Sequence, residues 1–146
     1  MAMHYGALNC AFQLPVADPG VLDDYEEGTW TPQIVGATST GSTTYDFRSA
    51  SYVKIGRVVF FNFNVAWTAA TGTGDIQIAG LPFVAGETVA GLSLYVNNLA
   101  YTAGAHLEGF VAPGASIFLR QAVAGGSANG IPMTTGQVAG SGFFYV

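Results

Sequence analysis

The sequence predicts an all-β chain, folded as an antiparallel β-sandwich or jelly roll. Three observations lead there. In Arg57–Trp67, RVVFFNFNVAW, the side chains of Phe61, Phe63, Val65 and Trp67 alternate with Asn62, Asn64 and Ala66. A period of two gives a strand with one apolar face and one small or polar face. Further short alternating runs follow at a spacing of roughly 8–12 residues with turn signals between them, as in antiparallel sandwiches. Finally, the 146 residues are 50% hydrophobic and 13% aromatic. That is too apolar for disorder, and the length suits one domain with a sizeable core.

The elements are read in chain order. Residues 1–22 show no period and are punctuated by Pro15, Pro19 and Gly20, so they are expected to form an extended N-terminal arm. Residues 23–146 are the β-rich module. The acidic run Asp23-Asp24-Tyr25-Glu26-Glu27 stops at Gly28 and is expected to cap or begin a turn of helix. Strands are expected from Thr29 onward. Ser51–Ile55 leads into a tight hairpin turn at Gly56, and Arg57–Trp67 is the returning strand. Residues 69–74, AATGTG, form a turn, and Asp75–Ala79 alternates with Ile76 and Ile78 on one face. Leu92, Leu94 and Val96 oppose Ser93, Tyr95 and Asn97 in another strand. Leu107–Ala112, Ser116–Gln121 and Gly142–Val146 complete a set of about eight. Gly125–Gly140 is rich in Gly, Ala, Ser and Thr and reads as a long loop. No segment recurs at a solenoid period.

Charge bounds the partners. Only 9% of residues are charged, with a net charge of −5, where an average soluble domain carries roughly 25%. Four basic residues, Arg48, Lys54, Arg57 and Arg120, cannot neutralise a nucleic-acid backbone. No uncharged apolar run of about 18 residues exists, so no membrane-spanning helix is expected. The N-terminus lacks a basic region followed by an apolar stretch, so no secretory leader is expected. Scarce charge without a membrane span implies apolar surface covered by other chains, hence a homo-oligomer. The single cysteine, Cys10, rules out an internal disulfide framework and any cysteine-based zinc site. It reads as a small buried hydrophobe.

Residues 21–32, VLDDYEEGTWTP, resemble the opening motif of a module found near the C-termini of tailed-bacteriophage tail fibres, tailspikes and related virion appendages. Other parts match in order. Tyr52-Val53-Lys54-Ile55-Gly56 is similar to the family's Y-x-K-I-G hairpin, and Val58–Phe63 to its aromatic strand. Residues 72–82, GTGDIQIAGLP, are similar to its GTG…GLP segment. Asn97-Asn98-Leu99 and Ser116–Leu119 fit weaker family patterns. Phe12-Gln13-Leu14-Pro15 with Ala17-Asp18-Pro19 is similar to the preceding linker. The resemblance covers about residues 12–146. Family members usually carry the module after long fibre or β-helix regions, whereas about twenty residues precede it here. A short stand-alone appendage and an excised tip both fit that arrangement. The resemblance implies a trimeric, β-rich virion module, attached to other virion proteins through its arm. It further implies recognition of host-surface glycans, trimer registration, or both. Asp23, Asp24, Tyr25 and Trp30 of the opening motif are then expected where three chains converge, with Trp30 buried.

No catalytic constellation is expected. Asp23, Asp24, Glu26 and Glu27 crowd one short segment and cannot straddle a sugar as paired hydrolytic carboxylates must. They read as a solvated turn that caps backbone N–H groups or pairs with Arg48, Lys54 or Arg57. No calcium-loop spacing is present, and no metal or cofactor is expected. His4 and His106 are far apart and belong to no hydrolase or metalloprotease motif. Gly72-Thr73-Gly74 precedes no helix, which excludes a dinucleotide loop.

Aromatics beside amides are the remaining chemistry. Sugar C–H faces stack on aromatic rings while their hydroxyls bond amides and carboxylates. Trp67 with Asn62 and Asn64 is one such neighbourhood, although Trp67 shares a face with Phe61 and Phe63 and is expected in the core. Tyr95, Asn97, Asn98 and Tyr101 form the second and are the candidate glycan-binding residues. Tyr95 and Asn97 project to one side of a strand. Asn98 projects to the other unless the strand ends there. Two functions follow: a non-enzymatic glycan-binding appendage tip, or a purely structural decoration, head fibre or adaptor. A depolymerase, the third, has no active-site residues to support it.

Overall fold

In the computed structural model, residues 24–86 and 89–146 are described. The expected arm, residues 1–22, lies outside them, as do His4, Cys10 and Asp23. The described residues form ten strands: β1 (Tyr25–Thr29), β2 (Gln33–Gly36), β3 (Thr43–Ile55), β4 (Val58–Ala70), β5 (Ile76–Ala79), β6 (Ala90–Asn97), β7 (His106–Val111), β8 (Ser116–Ala122), β9 (Asn129–Gly130) and β10 (Gly136–Tyr145). Every pairing is antiparallel. The all-β expectation holds.

The expected pair of stacked sheets is instead one hydrogen-bonded ladder. Its order is β1-β3-β4-β10-β6-β7-β8-β5-β2, with β9 attached to β8. The ladder curls until its ends approach. At the near end, the first half of β3 extends past β1; at the far end lies β2. Tyr45 Oη accepts the Ile34 amide N–H at 2.8 Å, and Thr43 Oγ1 donates to the Ile34 carbonyl at 2.9 Å. Two β3 side chains therefore satisfy the open edge of β2 where a backbone ladder would otherwise continue. The curled sheet encloses one core, built on Phe61, Phe63, Val65 and Trp67 of β4, Ile76 and Ile78 of β5, and Ile117 and Leu119 of β8.

Hairpin β3–β4 turns through Gly56 and Arg57, with Ile55 facing Val58 and Gly56 at φ 56°. This is a two-residue hairpin whose left-handed position favours glycine.

Two segments differ from expectation. The acidic run does not open a helix: its second half is edge strand β1. Tyr52 Oη donates to Glu26 Oε1 at 2.6 Å and Tyr25 Oη to Glu27 Oε2 at 2.7 Å, while Lys54 pairs with Asp24. Residues of β3 thus hold Glu26 and Asp24, Tyr25 of the same strand holds Glu27, and charge on an edge strand discourages further pairing. Gly125–Gly140 is not one long loop either. β9 lies within it, and β10 starts at Gly136. Small residues are needed there because neighbours press on the strand. A side chain at Gly140 would meet the Ser93 carbonyl at 2.8 Å and the Phe63 ring at 2.9 Å.

Candidate functional site

Strand β6 keeps its alternation. Leu92, Leu94 and Val96 pack against the core, and Ser93, Tyr95 and Asn97 are exposed. The strand ends at Asn97, and Asn98 adopts φ 53°. Asparagine tolerates this left-handed conformation better than most residues. Strand β3 carries an irregularity opposite. Tyr45 pairs with Trp67 and Phe47 with Ala66, so Asp46 has no partner in the ladder. A bulge of this kind re-aims the extra side chain.

The two irregularities meet in one groove. Phe47, Ala66, Gln137 and Asn97 occupy a single cross-strand row over β3, β4, β10 and β6. Together with Asp46, Thr68, Asn98 and Thr135 they line a groove of about 330 Å³. Gln137 Nε2 donates to Asn64 Oδ1 at 3.0 Å, which fixes that amide. Trp67 closes the wall, buried, its Nε1 donating to the Thr134 carbonyl at 2.5 Å. Phe47 stays 43% exposed. The lining offers one carboxylate, three amides, two hydroxyls and an open ring, with no lysine or arginine. Such a set suits an uncharged polyhydroxylated ligand: hydroxyls can bond amides and carboxylate while a C–H face lies on the ring. Nothing in it would neutralise a phosphate or an acidic sugar.

The sequence-predicted residues are distributed as follows. Asn97 and Asn98 both line the groove. Tyr95, 60% exposed, shares their side of β6 but lines a neighbouring hollow with Ser93 and Ser141. Tyr101 lines a third hollow, with Gln121 and Thr134. Asp46, Phe47 and Gln137 escaped sequence reading. Phe47 stands in a polar stretch and Gln137 in a run that read as loop, and only long-range pairing brings them together.

In the opening motif, Trp30 is buried and its ring lies 6.2 Å from that of Phe63. Its amide N–H donates to the Ala50 carbonyl at 3.2 Å. Asp24 pairs with Lys54, and Tyr25 stands exposed beside Glu27. Hydrogen bonding to Glu27 pushes the Tyr25 phenol above its ordinary value of 10.0, and bonding to Glu26 does the same for Tyr52. Of the other candidates, Asn62 Nδ2 donates to Ser51 Oγ at 2.7 Å, and His106 pairs with Glu108 on the surface. Among the described residues, no group of three or more His, Cys, Asp or Glu side chains is placed to hold a metal ion.

No family model matches the chain, and no curated protein matches it by sequence. Among solved structures, the Dettilon tailspike protein (gp208) matches over 83% of this chain, with a TM-score of 0.66 and 18% sequence identity. The matched region is 24% of that protein, so the chain spans about a quarter of its length. This curled antiparallel sheet is a fold that also occurs within a phage tailspike.

Proposed function

We propose that this chain is a module of a bacteriophage tail appendage, carried on the virion, that recognises an uncharged glycan on the host surface through the Asp46–Asn98 groove. The likeness of fold to a tailspike region carries the reading. The groove supplies the chemistry. Its lining holds a single carboxylate, whereas glycoside hydrolysis ordinarily uses two, so the proposed role is binding without cleavage. The module works as a homotrimer, because a chain with 9% charged residues leaves apolar surface for its own copies to cover. Residues 1–22 attach it to neighbouring virion proteins.

A second reading, a purely structural virion protein, is favoured by the shallowness of a groove made on a sheet surface. Two measurements separate them. Antibody-labelled electron microscopy of virions should place the chain on the tail; labelling confined to the head would overturn the tail assignment. A glycan array probed with the purified protein should retain it on uncharged surface polysaccharides. Silence across a broad array would favour the structural role.

A further inference from the structure

The outer face of the sheet carries a second feature, at the end away from the groove. Two cross-strand rows there run over β1, β3, β4 and β10: Tyr25, Ile55, Val58 and Tyr145, then Glu27, Val53, Phe60 and Phe143. Seven of these eight side chains are apolar or aromatic. Tyr25, Phe60, Phe143 and Tyr145 are all close to half exposed or more. The rings already pack on one another, Phe60 on Phe143 and Phe143 on Tyr145, each pair with centroids 6.1 Å apart. At that exposure four aromatic side chains present on the order of 400 Å² of ring surface. That matches the largest patch a typical monomer carries before the aliphatic side chains between them are added. A standard interface uses about 800 Å² per partner, so these rows with their rim approach what one contact needs.

The rim indicates what covers the patch. Glu27 borders it on the β1 edge, and Arg57 borders it at the hairpin tip. Arg57 Nε donates to the Val146 carbonyl at 3.0 Å. Neither Arg57 nor Glu27 belongs to an ion pair among the described residues. One surface thus carries a cation and an anion on two different borders of a single apolar patch, each hydrogen-bonded within the chain but in no ion pair with an acidic or basic side chain among the described residues.

We propose that this patch is the contact between copies of the chain, with Arg57 of one copy against Glu27 of the next. In the three-fold arrangement of the proposed function the contact is head-to-tail: the Arg57 border of each copy meets the Glu27 border of the next around the ring. The proposal rests on the trimeric reading and adds the face and the charge pairing. It leaves the groove, at the opposite end of the same face, open to solvent.

Light scattering tests it on the full chain. The wild type should weigh three chain masses. Phe60→Ser with Phe143→Ser should weigh one, with an unchanged β-type circular dichroism spectrum. Should that variant misfold, the charge pair decides, because both side chains are at the surface. Arg57→Glu and Glu27→Arg should each raise the concentration needed for assembly by about tenfold or more, and the two together should restore it. Trimers of unchanged strength in both single charge variants would overturn the face while leaving the trimer intact. A monomeric wild type would overturn both, without touching glycan binding, which the array reads separately.

Discussion

Trp30 lies where β1 passes to β2, and its ring closes the core against Phe63. Removing a buried aromatic side chain typically costs 3–5 kcal/mol. Trp30→Ala should therefore lower the melting temperature markedly, and an unchanged melt would show that the ring is not part of the core. Tyr52 makes a different contribution. Its phenol donates to Glu26 and is held above its ordinary value of 10.0. The unfolded chain therefore loses this proton first as pH rises. The bond's contribution is complete below about pH 10 and is lost as pH climbs through the raised folded value. The wild type should accordingly lose thermal stability more steeply above about pH 10 than Tyr52→Phe does. Parallel pH profiles for the two proteins would show that the phenol–carboxylate bond does not matter. Residue-scale features were partly legible in the sequence. Trp67 and the core face of β4 follow from alternation alone, and the burial of Trp30 follows from the resemblance of the opening motif. The αL turn at Asn98 and the bulge at Asp46 do not, because both depend on where a partner strand begins or slips.

At the scale of elements, β10 shows why composition misleads. A run of Gly, Ala and Ser reads as loop because it offers no apolar alternation and has low strand propensity. In the fold it is a central strand, between β4 and β6. Its small residues are there because side chains from both neighbours close over it. Gly140→Ala would put a Cβ 2.8 Å from the Ser93 carbonyl, and overpacking of this kind costs about 1–3 kcal/mol. Gly91→Ala on β6, where an added Cβ meets nothing within 4 Å, should leave stability unchanged. Denaturant melts of the pair check this, and equal midpoints would contradict the close packing at β10. The first half of β3 and strand β1 were hidden for the opposite reason. Their exposed polar residues carry no core signal, and pairing with β4 and β3 defines them as strands.

For the whole molecule, the all-β class and the strongest hairpin could be read from the sequence, whereas the single curled ladder could not. Alternation identifies strands but not which strand lies beside which, and closure here depends on Tyr45 and Thr43 reaching Ile34. The candidate site was half legible for the same reason. Asn97 and Asn98 sit together in sequence, but Asp46, Phe47 and Gln137 join them only through the fold. A shallow groove with a few hydrogen bonds and one ring implies a dissociation constant of order millimolar, or about −4 kcal/mol per site. Three sites on one assembly would raise avidity well beyond that. The most direct test is binding of the purified protein to a panel of uncharged bacterial surface polysaccharides, comparing wild type with Phe47→Ala and Asn97→Ala. The wild type should bind at least one member, and both variants should lose that binding while keeping the wild-type melting temperature. Undiminished binding by both folded variants, or no binding by the wild type, would contradict recognition through this groove.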